Sequence, residues 1–210
     1  LRGILGAGTN RINVYTVAKA SAGLAQYIVS NGEEAMKRGV AICFDSRHYS
    51  PEFAQVAATT FAAYGVKAYL SDELRPVPMC SYSVRYFNAF AGVMITASHN
   101  PPKYNGYKVY WTTGGQVDPV EADAITERIR EVEGFATCYM PYEQALASGA
   151  IELIGQEVDE AYYAAIPPLE ALLLFVPKLM SAPGNMLKYF LNFSFALFSL
   201  SQPGSRSFSS

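Results

Sequence analysis

Cysteine is scarce in this sequence. Its three residues, Cys43, Cys80 and Cys138, are odd in number and far apart, and no C-x-x-C spacing occurs. That pattern argues against a disulfide framework and against a zinc site, and predicts a reducing, cytoplasmic setting. Charge is sparse too: charged residues make up 16%, the formal net charge is −2, and Lys and Arg form no block. No footprint for nucleic acid follows, although a basic groove for a small anionic substrate stays open, because net charge says nothing about local potential. Long apolar runs are missing. The stretch "MLKYFLNFSFALFSL" is broken by Lys188 and Asn192 and falls short of the roughly 20 apolar residues a membrane helix needs. The sequence has no initiator Met and no segment resembling a signal peptide. It opens at "LRGILGAGTNR", which reads as the middle of something already under way.

What is present suits a globular chain. Half of the 210 residues are hydrophobic, enough for a buried core and against wholesale disorder. Three short apolar runs, "VAICF" (40–44), "VKAYL" (66–70) and "GVMIT" (92–96), predict buried strands. Between the first two, Ser50 reads as a helix N-cap and Pro51 as the first helical residue. Phe53, Val56, Ala57, Thr60, Phe61 and Tyr64 then share one face, and Gly65 supplies the stop. A second helix is capped by Asp118, opened by Pro119 and ended by Gly134. An earlier one is predicted over 12–28, with Ile12, Tyr15, Ala22, Ala25 and Ile28 inward. Strands alternating with helices imply an α/β domain, helices layered around a mixed, largely parallel sheet, over residues 1–165.

From residue 166 the composition changes. The last 45 residues hold four charged side chains, Glu170, Lys178, Lys188 and Arg206, with prolines at irregular places and a Ser- and Phe-rich end. No sustained helical or strand period runs through them. Two readings stand: a poorly ordered extension, or a tail foreign to the preceding fold, as after a shifted frame or misassigned exon.

The stretch with chemical promise is "TASHNPPKYNGYKVY" (96–110). If "GVMIT" is a parallel strand, Ser98 and His99 lie just past its carboxyl end, where open α/β sheets place ligands. Pro101 and Pro102 stiffen the loop. Asn105-Gly106 predicts a hairpin turn, which would bring Lys108 back towards Ser98. A serine hydroxyl needs a base or electrophile beside it, and His99 and Lys108 are candidates that also suit phosphate oxygens. No G-x-S-x-G surrounds the serine, which lowers acyl transfer and favours phosphoryl chemistry. Against this stands the plainer reading that Ser-His-Asn-Pro-Pro is turn-forming sequence and nothing more.

The segment "TASHNPPKYNGYK" resembles the phosphoserine loop of the α-D-phosphohexomutases, the phosphoglucomutases and phosphomannomutases. Other segments agree in order: "LRG" at the start, "NRINVYTVAKASAGLAQYI", "FDSRHYSPEFA" and "DELRPVP". The wording is closest to bacterial phosphoglucomutases related to the phosphopentomutase-like branch. The resemblance covers about residues 1–165 and corresponds to the first of four family domains. It implies that Ser98 is phosphorylated and passes its phosphoryl group to the sugar. His99 and Asn100 would contact phosphate or substrate, Lys108 would assist proton transfer or balance charge, and Arg2 would reach the same site. Arg47 would bind substrate or phosphate, or else form a surface or inter-loop ion pair; Asp45 would support it, and His48 reads as a structural or surface residue. Glucose 1-phosphate and glucose 6-phosphate would interconvert through a bisphosphate, with glucose 1,6-bisphosphate as activator and Mg²⁺ held partly through the phosphate on Ser98.

The resemblance also has an edge. The Asp-Gly-Asp metal cluster, the Gly-Glu-x-Ser-Gly sugar loop and the distal phosphate loop of the family do not occur in these 210 residues. Two expectations follow: a phosphoglucomutase-derived nucleophile domain, inactive by itself, or a non-catalytic binding module whose apolar tail seeks a partner.

Overall fold

The computed structural model describes residues 1–134 and 138–166. The chain divides into two units, Leu1–Tyr163 and Ala164–Ser210. The distinctive tail predicted from 166 onward lies, beyond its first residue, outside the described residues.

In chain order the elements are β1 (Arg2–Ile4), α1 (Val14–Ser30), α2 (Glu33–Arg38), β2 (Val40–Phe44), α3 (Ser50–Ala63), β3 (Ala68–Ser71), α4 (Val77–Tyr86), β4 (Ala91–Ile95), β5 (Tyr104–Trp111), α5 (Pro119–Glu131), α6 (Tyr142–Ala147), β6 (Ile151–Ile154) and α7 (Gln156–Ala165). The strands form one sheet in the order β1-β5-β4-β2-β3-β6. β4, β2, β3 and β6 run parallel, and β5 and β1 are added antiparallel at one side. This is the α/β architecture expected, a mixed sheet with a parallel centre.

The central strands are apolar throughout because both of their faces are covered. In β2, Val40, Ile42 and Phe44 enter a large core with Leu24 and Ile28 of α1 and Phe53, Ala57 and Phe61 of α3. The intervening Ala41 and Cys43 point the other way, into a smaller core with Cys80 and Val84 of α4, Met94 and Tyr110. One five-residue strand thus serves two layers through the period-two alternation of its side chains. A Cβ at Gly92 would run into Val84 and Tyr110, so α4 packs closely over β4 at that point.

Several local expectations need correction. The first helix starts at Val14, after a capping box in which the Asn13 side chain accepts from the Thr16 amide at 3.0 Å and the Thr16 hydroxyl accepts from the Asn13 amide at 3.0 Å. Ile12 is buried ahead of that cap, whereas Tyr15, expected inward, is 62% exposed at the first turn. Ser50 is not the cap of α3. Tyr49 takes that position with a left-handed φ of 63° and no side-chain cap bond. The third strand is shifted to 68–71, and α4 arises where no helix was predicted. Asn105-Gly106 is not a hairpin turn: both residues lie inside β5, paired with Gly3 and Arg2 of β1. The chain reverses earlier, between 96 and 103. By contrast, the Asp118 side chain caps α5 as expected, accepting from the amides of Val120 at 2.9 Å and Glu121 at 3.2 Å.

Candidate functional site

Burial along β4 ends abruptly. Thr96 and Ala97 are buried, and Ser98 is the first exposed residue after the strand. Its backbone turns left-handed, with φ 58°, a conformation that costs a residue bearing a Cβ about 1–2 kcal/mol. The Thr96 hydroxyl holds this bend by accepting from the Ser98 amide at 2.9 Å. Further along, the Asn100 amide donates to the Ala97 carbonyl at 3.1 Å and the Tyr104 amide to the Pro101 carbonyl at 2.9 Å. The result is a compact loop between a parallel strand and its antiparallel successor, with the serine at its crest. Ser98 Oγ lies 3.3 Å from Nδ1 of its neighbour His99.

β2, beside β4, ends on the same sheet edge and supplies the other wall. The Asp45 amide donates to the Ile95 carbonyl at 3.2 Å, so the two strand ends stay level. Asp45, Ser46, Arg47 and His48 then line a cleft of about 310 Å³ together with Ser98 and Pro102. The carboxyl edge of a parallel sheet is where α/β proteins gather ligands.

Arg47 is the most engaged side chain of the cleft. Nη2 donates to the carbonyls of Ser98 at 2.6 Å and Asn100 at 2.7 Å. Nη1 donates to those of Pro101 at 3.2 Å and Tyr104 at 3.0 Å. Nε faces Asp45 Oδ2 at 3.4 Å. Asp45 Oδ1 accepts from the Arg47 amide at 3.1 Å and from the Ser50 hydroxyl at 3.0 Å. Ser50 in turn accepts from Asn105 Nδ2 at 2.9 Å, and the same nitrogen donates to the His48 carbonyl at 3.0 Å. A polar chain therefore runs from fully buried Asn105 through Ser50 and Asp45 to Arg47 and the loop. Thr96, Ser50 and Asn105 were not singled out for this task by sequence. Asn-Gly signals a turn, and only the register of β5 shows the amide buried and bonded.

The other expected residues are distributed as follows. Arg2, on β1, donates from Nη1 to Asn100 Oδ1 at 3.2 Å, which brings both to the serine loop. Lys108 sits on β5 opposite Met94, the penultimate residue of β4. Hydrogen bonds at the serine loop join Ser98 with His99, Arg2 with Asn100, and Arg47 with the carbonyls of Ser98 and Asn100; none of them involves the Lys108 side chain. His48 is exposed and contributes its carbonyl.

The described residues do not fit a resident divalent cation by themselves. No group of three His, Cys, Asp or Glu among them is arranged to hold one, and Asp45, the carboxylate of the cleft, is already engaged by Ser50 and Arg47.

Residues 1–134 match the family described as phosphoglucomutase/phosphomannomutase, alpha/beta/alpha domain I. The chain belongs to that family. A phosphoglucomutase of Staphylococcus epidermidis is 38% identical over 169 residues, covering 80% of this chain and 30% of the relative. A phosphopentomutase of Mus musculus is 39% identical over 137 residues, covering 62% of this chain and 22% of the relative. Among solved structures, a Thermus thermophilus protein provisionally described as a phosphomannomutase superposes with a TM-score of 0.61 at 27% identity, over 78% of this chain and 33% of that one. The chain thus spans about a third or less of the relatives it matches, and the match falls on the phosphohexomutase amino-terminal domain. Among the described residues no helix is long and apolar enough to cross a membrane.

Proposed function

We propose that this chain carries the phosphoryl-bearing serine of a phosphoglucomutase-type reaction, the interconversion of glucose 1-phosphate and glucose 6-phosphate. The observation that supports it most is Ser98 itself: a left-handed, exposed serine on a braced loop at the carboxyl edge of the sheet, beside an imidazole and two arginines. In the forward step, a sugar hydroxyl oxygen attacks the phosphorus on Ser98. The bond from phosphorus to Ser98 Oγ breaks as the new phosphorus–oxygen bond forms, and the sugar's hydroxyl proton is the one to be returned to Oγ. After the bisphosphate turns around, Oγ attacks its other phosphorus; the bond from that phosphorus to the sugar oxygen breaks, and the proton leaving Oγ passes to that oxygen. Such transfers depend on positioning and on charge around the phosphoryl oxygens. Nδ1 of His99 is within reach to hold the proton at Oγ. Arg2 and Asn100 would orient phosphate oxygens, and Lys108 would balance charge once substrate bridges the gap to it.

Within this reading the nucleophile domain is residues 1–165, and glucose 1,6-bisphosphate is the activator because it can reload Ser98. Mg²⁺ dependence would require donors besides those described. Relatives named for glucose and for pentose phosphates support a sugar-phosphate substrate. Free thiols at Cys43, Cys80 and Cys138 accord with a cytoplasmic setting.

Conversion of glucose 1-phosphate to glucose 6-phosphate, with Mg²⁺ and catalytic bisphosphate, tests the reading beside a Ser98→Ala control. We expect the 210 residues to show no turnover above that control, because the described residues bring no group arranged to hold a metal ion. Serine-dependent turnover would mean that residues outside the described set complete the site. Turnover that survives Ser98→Ala would overturn the role of Ser98 and favour a non-catalytic module with a contaminating activity.

A further inference from the structure

Arg47 presents a simple inventory. A guanidinium has five N–H donors in one plane and no acceptor. Four of those of Arg47 go to four carbonyls of the serine loop, and the fifth faces Asp45. The side chain is only 14% exposed. A phosphate arriving in the cleft would find no unengaged donor on this residue. The carbonyls of Ser98 and Asn100 accept no backbone N–H within the described loop, which reverses direction through two prolines and a left-handed serine; the Pro101 carbonyl also accepts from the Tyr104 amide, and Tyr104 opens β5. Carbonyls converging on one point repel one another unless a cation sits among them, and here a single planar cation does.

We propose that Arg47 is a positioning residue. Its guanidinium gathers the carbonyls of Ser98, Asn100, Pro101 and Tyr104 into one fixed loop and so sets the direction of the Ser98 hydroxyl, rather than binding phosphate. Asp45 orients it from below through Nε and its own amide, and the Asp45–Ser50–Asn105 chain ties this support to β5, the strand into which the loop runs. The loop is thus held from both of its ends by one polar network. The consequence for phosphoryl loading rests on the reading of Ser98 given above; the mechanical role does not. A serine whose hydroxyl is already aimed loses less entropy on reaching the reacting geometry.

Arg47→Lys separates the two roles, because lysine keeps the charge but cannot replace a planar fork that serves four carbonyls. Two readouts on the full chain are needed: amide hydrogen exchange at Ser98, Asn100 and Tyr104, and the rate at which glucose 1,6-bisphosphate phosphorylates Ser98. Urea unfolding checks that the fold is intact. The expected result is exchange faster by about tenfold or more at the three amides, since several charge-assisted bonds are lost. The maximal loading rate should fall while the bisphosphate concentration for half-maximal loading stays unchanged. Unchanged exchange with a raised half-maximal concentration would overturn the proposal and make Arg47 a phosphate ligand. Should Arg47→Lys fail to fold, Asp45→Asn, which keeps shape and loses the charge behind Nε, must move the same two readouts in the same directions or the proposal fails. If the wild-type chain takes no phosphoryl group, the carrier reading fails, and the exchange result alone decides the clamp.

Discussion

Asn105 Nδ2 donates to Ser50 Oγ at 2.9 Å, across 55 residues of sequence. The bond joins the strand that follows the serine loop to the first turn of the helix that follows β2. Asn105 is fully buried, and its Oδ1 also accepts from the Gly106 amide at 2.8 Å. Replacing it with alanine strips partners from the Ser50 hydroxyl and the His48 carbonyl. Asn105→Ala should lower stability by about 1–3 kcal/mol, read as a lower urea midpoint at unchanged slope.

Ser98 offers a test of strain that is independent of chemistry. At φ 58° a glycine has no Cβ to accommodate, whereas an alanine keeps the penalty. Ser98→Gly should be more stable than Ser98→Ala by about 1 kcal/mol, less the entropy a glycine adds to the unfolded chain. Equal stabilities would mean that the left-handed conformation carries no strain.

Gly106 is required by proximity rather than by φ. A Cβ there would stand 2.5 Å from the Thr96 carbonyl oxygen and 3.1 Å from that of Leu1. Both are backbone atoms one residue beyond the ends of the adjoining strands β4 and β1, and they can yield only if those strand ends shift. Gly106→Ala should cost about 2 kcal/mol or more and should disturb β1–β5 pairing, visible as loss of protection at the Leu5 amide.

Burial raises the Tyr107 phenol well above its ordinary range, with the Ser21 hydroxyl, which donates to it at 3.1 Å, partly offsetting that. The sign follows directly. The unfolded chain releases this proton as pH passes the ordinary tyrosine value of about 10, while the folded protein retains it. Stability from this group is therefore full below that pH and lost as pH rises beyond it. Tyr107→Phe should flatten the alkaline limb of the pH–stability curve, measured as urea midpoint against pH, while leaving the acid limb alone.

How far the sequence could carry this account depended on whether a feature was local. The strands 40–44 and 91–95 were legible because continuous apolar runs bounded by turn residues leave little else for a buried segment to be. The helix opened by Asp118 and Pro119 was legible because its cap lies within the helix's own first turn. The exposed position of Ser98 past a strand end was legible from the apolar run that precedes it. What failed were residues whose roles are set by distant partners. Ser50 has the chemistry of an N-cap, but a carboxylate and a buried carboxamide claim its hydroxyl. Asn105-Gly106 carries a strong turn signal, overridden because β1 pairs along it and leaves room for no Cβ. Tyr15 fits a helical period that starts too early once Asn13 fixes the cap. The direction of the Arg47 guanidinium could not be read at all, since its four carbonyls lie more than 50 residues away.

The central claim is that Ser98 carries a phosphoryl group, and loading tests it with fewer demands than turnover, because a single slow transfer leaves a product that accumulates and nothing has to turn around in the site. The full chain would be incubated with glucose 1,6-bisphosphate and Mg²⁺, digested, and its phosphopeptides mapped by tandem mass spectrometry. The account predicts one phosphoryl group, on Ser98, and none in Ser98→Ala. An unmodified Ser98 in the wild-type chain, or a phosphoryl group on another residue that persists in Ser98→Ala, would contradict it.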